Sequence, residues 1–427
     1  MARPTVLVAY CALHWPWRRT IQDHLDSFAR YGEAEYVYAN LALPWLANAH
    51  AAMRFDAILW HTTFFGWVRW TPPDQRVGVM KRARRLAARG GRQLALPQDE
   101  FLGSDQAAEA ITELGIDHVF SVAAESQWPV LYERVDRDRI SFSRVLTGYL
   151  DEDTVHRIDA ILAGRPRRAV DIGYRTGPAK PFLGRHAMLK TRVADTVRER
   201  AERRGLRVDI STRPEDTLLG DDWYRWLAGC RWTVGVEGGA SVLDRDGSIL
   251  RCTERVERER PGVGFEELEA ACFPGADGRL DLRALSPRHL EASATKTAQV
   301  LVEGDYNGVL APGDHYLPLR RDFSNLDEVL DLVASEAERD RLAERAHRDV
   351  VASGDWTYRR LVTDVEAQLP AAAARRPRRA VLAAAGAVDR ASRPMLSSAP
   401  RLAMSARRRL YGVLGLRGYG RGAGRAP

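Results

Sequence analysis

Short apolar runs alternate with segments of helical spacing in the first part of the chain. The runs cover residues 5–9, 34–38, 57–60, 92–96 and 118–122, and helical spacing marks residues 20–31, 77–89 and 105–114. Apolar runs of this length predict strands, and strands that alternate with helices predict a parallel sheet covered on both faces. The pattern therefore predicts an α/β domain.

A second series of the same kind begins near residue 165. Strands are predicted at 169–174, 206–210, 231–236 and 298–302, and helices at 186–204, 223–227, 288–294 and 326–333. A Glu- and Arg-rich stretch at 249–274 interrupts the series and predicts an exposed helical insertion. The predicted fold class is α/β, with two Rossmann-like domains that face a cleft and span residues 1–165 and 166–370. The last helices of the body, within 336–369, are expected to pack back toward the first domain.

The net charge is uneven along the chain. The whole chain carries +7, but residues 371–427 contain thirteen arginines and one acid, Asp389, which leaves −5 for residues 1–370. The 45% apolar and 28% charged content is globular and excludes collagen, coiled coil and wholesale disorder. Because only the Ala-, Arg- and Gly-rich tail is basic, nucleic acid is not an expected partner.

The cysteines and the apolar runs bear on the compartment. Cys11, Cys230, Cys252 and Cys272 form no Cys-x-x-Cys pair, so we expect buried, unpaired thiols in a reducing cytosol. No apolar run has the roughly 20 residues of a membrane span, and the apolar start lacks a signal-peptide cleavage pattern. The predicted location is cytoplasmic, with peripheral contact to the inner membrane face as a further hypothesis.

The segment Ser286-Pro287-Arg288-His289-Leu290-Glu291-Ala292 precedes the predicted strand at 298–302. Two further motifs come after that strand and complete the stretch: the Gly- and acid-containing turn at 303–308 and the segment at 315–329. This stretch resembles the C-terminal domain of GT-B nucleotide-sugar glycosyltransferases, especially retaining enzymes of glycosyltransferase family four and related bacterial surface-glycan enzymes. The resemblance implies that Glu291 binds the ribose hydroxyls, since two carboxylate oxygens suit a vicinal diol. The alternative is a glutamate that only complements the helix dipole.

A second part of the resemblance covers residues 170–190. It implies that Arg175 and Lys180, after the first strand of the domain, contact the donor diphosphate, although Tyr174 separates Arg175 from Gly173. Arg185, just before the long helix, is an alternative second cation. Fixed cations at this place would stabilise the charge that develops on the leaving nucleoside diphosphate.

The strand at 231–236 leads into Glu237-Gly238-Gly239. This triplet is similar to the family's Glu-Gly loop, which implies that Glu237 reaches the donor sugar while Gly238 and Gly239 let the backbone approach the ligand. In the family the two glutamates stand close together, whereas the insertion separates Glu237 from Glu291 here. A tight structural turn is the alternative.

The first domain offers candidates for an acceptor site. Asp99 and Glu100 follow a predicted strand, and His14 follows the first strand, so all three are placed at carboxyl ends, where ligands of open α/β sheets bind. Carboxylates and histidine can orient or deprotonate an acceptor hydroxyl. Each of them could also be structural.

Taken together, the resemblance implies retaining, metal-independent transfer from a nucleotide-sugar co-substrate, without another cofactor, to a glycan, lipid-linked or small-molecule acceptor. The basic tail, disordered or folded as a surface helix, could dock on an anionic membrane.

Three alternative functions remain open. They are a sugar-nucleotide epimerase, a tail-anchored binding protein, and a methyltransferase that binds S-adenosylmethionine through Gly173 and Asp209. The Asp-x-Asp triplets at 136–138 and 244–246 lack a preceding apolar strand, so no metal is predicted.

Overall fold

A computed structural model of the protein describes residues 3–13, 19–44, 50, 53–372 and 385–393. These residues form two compact units. The first consists of the described residues of Met1–Val145, Leu243–Phe273 and Leu361–Arg417, and the second of Leu146–Val242 and Pro274–Arg360. None of the helices in the described ranges is long and apolar enough to span a bilayer.

The first unit contains a six-stranded parallel sheet in the order β2-β1-β3-β4-β5-β6. The central strands β1 and β3 are largely apolar because both faces of the sheet are covered there, and every residue of β1 is buried. The elements are β1 Thr5–Tyr10, α1 Arg19–Tyr31, β2 Glu35–Asn40, β3 Phe55–Trp60, α2 Thr62–Trp70, α3 Pro73–Ala87, β4 Gly90–Ala95, α4 Ser104–Leu114, β5 His118–Ser121, α5 Trp128–Leu131 and β6 Ser141–Arg144.

The second unit contains a five-stranded parallel sheet in the order β13-β12-β9-β7-β8 and a small antiparallel pair, β10-β11. Buried side chains of its strands and of α7, α12 and α13 form one core. The elements are α6 Glu152–Ala163, β7 Val170–Arg175, α7 Arg185–Arg203, β8 Val208–Ser211, α8 Asp221–Ala228, β9 Cys230–Gly235, β10 Gly238–Ala240, β11 Leu282–Ala284, α11 Pro287–Ala294, β12 Ala298–Val302, β13 Leu317–Leu319, α12 Leu326–Val333 and α13 Glu336–Ala346.

The predicted insertion is a helical hairpin that belongs to the first unit. It consists of α9 Ser248–Glu259 and α10 Phe265–Cys272, and Leu102 pairs with Asp244 just ahead of it. A disulfide joins Cys252 to Cys272, whereas Cys11 and Cys230 are buried and unpaired. The prediction of four unpaired thiols is therefore wrong for Cys252 and Cys272, because the turn between the helices brings two distant positions together.

Two C-terminal segments complete the first unit. Helix α14, Tyr358–Glu366, ends where the Glu366 carboxylate accepts hydrogen bonds from the Ala34 amide at 2.8 Å and the Tyr36 hydroxyl at 3.0 Å. Residues 385–393 are helical, and Asp389 is only 1% exposed. Asp389 accepts a hydrogen bond from the Tyr10 hydroxyl at 2.7 Å and pairs with Arg393 at 3.0 Å. Part of the basic C-terminal region is thus packed on the first sheet.

Candidate functional site

The second sheet changes its winding direction between β7 and β9. Strand β8 lies on one side of β7, and β9, β12 and β13 follow on the other side. Ligands of doubly wound sheets bind outside the carboxyl ends of the strands at such a switch point. Here β7 ends at Arg175, and β9 ends at Gly235, two residues before Glu237. Two of the predicted donor residues, Arg175 and Glu237, therefore come at the carboxyl ends of the two strands that flank the switch point.

A small pocket lies at this point, between β7, β9 and the two helices α8 and α11. Its lining combines aromatic faces with cationic and histidine side chains. The lining residues are Tyr174, Arg175, Trp223, Leu227, Thr233, Val234, Arg288 and His289.

Helix α11 presents two polar side chains beside the pocket. Glu291 accepts a hydrogen bond from the Trp223 indole at 2.8 Å, and Arg288 donates to the Arg175 carbonyl at 2.7 Å. Positions three apart lie on one face of a helix, so Arg288 and Glu291 share a face. Trp223 in turn stacks on Trp226, with ring centroids 5.2 Å apart. The predicted ribose-binding glutamate thus stands next to an aromatic pair.

Arg175 lies at the pocket, but its charged group is turned toward β8. Its guanidinium contacts Asp209 at 2.6 Å and lies over the Trp226 ring at 4.8 Å. Asp209 also accepts from the Trp226 indole at 2.7 Å. Asp209, which the methyltransferase alternative uses for ribose, is therefore occupied by two protein donors.

The other two predicted cations precede or begin α7. Lys180 is half-buried in the loop before the helix. Arg185 is exposed and pairs with Asp277 at 3.2 Å, and its amide also donates to Asp277 at 3.0 Å. The first turn of α7 is thus capped by the protein itself, through Asp277 and through Ser241, which accepts from the His186 amide at 3.1 Å.

Glu237 is 1% exposed and holds the turn after β12. It accepts the Tyr306 amide at 2.7 Å, while its second oxygen lies against Gly304 without a hydrogen-bond partner. Burial raises the pKa of this carboxyl. Tyr306 and Asn307 both have left-handed backbone, so Glu237 stabilises a strained turn.

Gly238 and Gly239 form β10, which pairs with β11. Gly239 has a φ of 116°, and a Cβ there would lie 1.9 Å from the Leu282 carbonyl oxygen. A side chain is therefore excluded at Gly239 by close backbone approach. The Gly238 carbonyl faces the His186 ring nitrogen Nε2 at 3.3 Å.

The acceptor-side candidates belong to the first unit. Glu100 is buried and accepts from the Tyr132 hydroxyl at 2.5 Å, from the Val122 amide at 3.1 Å and from Ser121, and burial raises its pKa. Asp99 has left-handed backbone and its carbonyl accepts from Arg69. His14 lies outside the described residues. Glu100 thus ties the end of β4 to the end of β5.

In the Asp-x-Asp triplet at 244–246, Asp244 binds backbone amides of the protein. Asp244 accepts the amides of Gly247 at 2.9 Å and Leu250 at 2.8 Å, which satisfies the first turn of α9. Across the described part of the chain, no group of three or more His, Cys, Asp or Glu side chains is arranged to hold a metal ion.

Comparison with known proteins gives structural likeness without sequence likeness. No protein-family model matches the chain, and no curated protein does. An α-glucosyltransferase solved with UDP and a 13-mer DNA is 9% identical, with a TM-score of 0.50 over 86% of this chain and 98% of its own. HepE from Anabaena, solved with UDP-glucose, is 9% identical, with a TM-score of 0.48 over 86% of this chain and 100% of its own.

The chain has the GT-B fold. The predicted fold class, α/β with two Rossmann-like domains of GT-B type, is thus confirmed. A likeness at 9% identity is one of fold, so each site residue rests on its own contacts.

Three polar residues of the second unit that lie near the predicted site residues were not selected from the sequence. Arg288 could have been selected from the sequence, because it stands one helical turn before Glu291. No sequence pattern indicates that His186 and Arg321 lie 3.3 Å apart, because they are 135 positions apart in the chain. With only four lysines among 64 basic residues, arginine carries little information in this sequence.

Proposed function

We propose that the protein is a glycosyltransferase, a hexosyltransferase that moves a sugar from a nucleotide sugar to an acceptor. The observation that carries the proposal is the pocket at the switch point between β7 and β9, with Arg288 and Glu291 side by side on α11 in a GT-B fold. The α-glucosyltransferase of the same fold was solved with UDP, which supports a nucleotide as the ligand.

The chemistry of the pocket suits a nucleotide. The Trp223 face can stack on a planar base, and the Glu291 carboxylate can accept the two hydroxyls of a ribose. Trp223 also orients Glu291 through its 2.8 Å hydrogen bond. Base and ribose would therefore be recognised by one hydrogen-bonded pair of side chains.

We extend the proposal to retention of configuration and to independence from a metal. In this scheme the protein's cations stabilise the leaving diphosphate, and a diphosphate oxygen accepts the acceptor proton. Glu237, Gly238 and Gly239 shape the sugar end of the site. His14, Asp99 and Glu100 stay predictions for the acceptor side.

The acceptor we propose is a glycan or a lipid-linked sugar, in polysaccharide biosynthesis. A lipid-linked acceptor would suit a cytoplasmic protein whose basic residues after Arg393 contact an anionic membrane surface. A nucleic acid is not part of the proposal.

The deciding experiment measures binding by the full chain to a panel of nucleoside diphosphates and nucleotide sugars. A ligand at about 100 times its dissociation constant adds roughly 2.7 kcal/mol to the free energy of unfolding, which a thermal-shift assay detects. We expect one nucleotide family to bind and its sugar to be transferred or hydrolysed. No shift with any nucleotide would reject the proposal.

The first site variant is Glu291→Gln, with Glu328→Gln as control. Glu328 is exposed in the first turn of α12, as Glu291 is partly exposed on α11. We expect Glu291→Gln to weaken nucleotide binding at least tenfold and Glu328→Gln to leave it unchanged. Equal affinities for the two variants would remove Glu291 from the site.

A further inference from the structure

Two of the three cations that the resemblance assigns to the diphosphate, Arg175 and Arg185, are engaged with carboxylates. Arg175 contacts Asp209 at 2.6 Å and stacks on Trp226, and Arg185 pairs with Asp277 at 3.2 Å. A guanidinium that already binds a carboxylate and an aromatic face has fewer donors left for a phosphate.

Arg321 differs from Arg175 and Arg185. Within the described ranges its guanidinium makes no ion pair; it contacts the His186 nitrogen Nδ1 at 3.3 Å and the Glu303 carbonyl at 3.5 Å. It is partly buried, in the turn that follows β13 at the carboxyl edge of the second sheet. A partly buried guanidinium whose two hydrogen-bond partners are both neutral is an unusual arrangement, because desolvated charges are normally hydrogen-bonded to an opposite charge.

The surroundings of Arg321 contain a second arginine. Burial and the neighbouring Arg283 lower the pKa of Arg321, whereas the carboxylates of Glu237 and Asp281 raise it. Arg283 pairs with Asp281 at 2.6 Å, so of the two arginines Arg321 is the one without an ion pair among the described residues. Phosphate accepts the parallel hydrogen bonds that such a guanidinium offers.

His186 holds Arg321 at this place. The His186 ring lies between the Gly238 carbonyl, 3.3 Å from Nε2, and Arg321, 3.3 Å from Nδ1. Burial lowers the pKa of His186 to about 4, so the ring is neutral at neutral pH, donates to Gly238 through Nε2 and accepts from Arg321 through Nδ1. One ring thus connects the Glu237-Gly238-Gly239 loop to the arginine.

We propose that Arg321, positioned by His186, is a cation that binds the diphosphate of the nucleotide-sugar donor. The assignment rests on the proposed function, since it names a residue of that same site. Arg321 would take the phosphate role, while Arg175 joins β7 to β8 and Arg185 pairs with Asp277 at the start of α7.

The test compares Arg321→Gln with Arg320→Gln in the full chain. Arg320 is the exposed neighbour, so the pair matches in chain position and in charge removed. The probes are the nucleoside diphosphate that binds most tightly in the panel and its nucleoside without phosphates. We expect Arg321→Gln to weaken diphosphate binding about ten- to a hundredfold and to leave nucleoside binding unchanged, because charged hydrogen bonds are the strong ones.

The outcomes separate the two claims. If the unaltered chain binds no nucleotide, the proposed function fails and this assignment with it. If the unaltered chain binds and Arg321→Gln binds equally well, the proposed function stands and the Arg321 assignment is overturned. Equal loss of nucleoside and diphosphate binding would also overturn it, because the effect would then be structural.

A second pair of variants tests the positioning by His186. His186→Phe keeps the ring volume but removes the acceptor, whereas His186→Gln offers an amide oxygen to Arg321. We expect His186→Phe to weaken diphosphate binding as Arg321→Gln does, and His186→Gln to restore part of it. In the double variant the two losses should not add, since both remove one contact. Additive losses would contradict the positioning role.

Discussion

Two neighbouring glycines, Gly238 and Gly239, carry different constraints. A Cβ at Gly239 would lie 1.9 Å from the Leu282 carbonyl at a φ of 116°, whereas a Cβ at Gly238 has its nearest contact at 3.5 Å. We expect Gly239→Ala to lower the free energy of unfolding by about 1–3 kcal/mol and Gly238→Ala to change it little. Urea unfolding measures both, and equal effects would contradict the backbone argument.

Residue types were easier to predict than side-chain directions. The sequence predicted Arg175 after the first strand of the second domain and Glu291 in a short helix; in the structure Arg175 ends β7 and Glu291 lies within α11. It could not show that Arg175 turns to Asp209, because that contact joins positions 34 apart in the chain and depends on how β7 pairs with β8. Which carboxylate an arginine contacts depends on tertiary packing, and the spacing of residues along the sequence does not reveal that packing.

A buried histidine pair joins α1 to α2. The Thr63 amide donates to His61 Nδ1 at 3.2 Å, which leaves His61 Nε2 to donate to His24 Nδ1 at 2.8 Å. Burial lowers the pKa of His24 to about 4 and that of His61 well below its usual value. Both rings are therefore neutral in the folded protein at neutral pH.

This pair predicts an acid-sensitive first unit. Below about pH 6.5 the histidines of the unfolded chain become protonated, whereas the two buried rings of the folded protein stay neutral because their pKa values are lower. The free energy of unfolding therefore falls as the pH falls from about 6.5 toward 4, by about 1.4 kcal/mol per pH unit for each ring. We expect His24→Gln to flatten the dependence of unfolding free energy on pH, and His156→Gln, at an exposed position on α6, to leave it unchanged. Parallel curves for all three proteins would contradict the argument.

At the scale of elements, continuous apolar strands were predictable and polar or glycine-rich ones were not. The runs that form β1, β7, β9 and β12 are buried on both faces of a sheet, so they are rich in apolar residues and can be predicted from the sequence. Strand β6, Ser141–Arg144, is a polar edge strand, and β10 consists largely of glycine, so neither has a strand signature. Strand β10 also finds its partner only beyond the inserted hairpin.

At the scale of the whole molecule, one charged cluster ties residues 385–393 to the first unit. Arg393 contacts Asp389 at 3.0 Å and Asp26 at 2.7 Å, and its side chain is 12% exposed. We expect Arg393→Met to destabilise the protein by about 3–5 kcal/mol, since it leaves the buried Asp389 without its cation. Arg390→Met, at an exposed position three residues earlier, is the control, and chemical denaturation is the measurement. Equal free energies of unfolding for the two variants would show that the cluster does not stabilise the protein.

The anchored helix at 385–393 also has a consequence for local concentration. The sequence after Arg393 holds seven arginines and no acid, and it begins from a point fixed on the first unit. Any surface that those arginines bind is held within a chain's reach of that unit, so a weak second contact gains an effective concentration that a separate peptide would lack. Releasing the helix would remove that gain without altering a single tail residue.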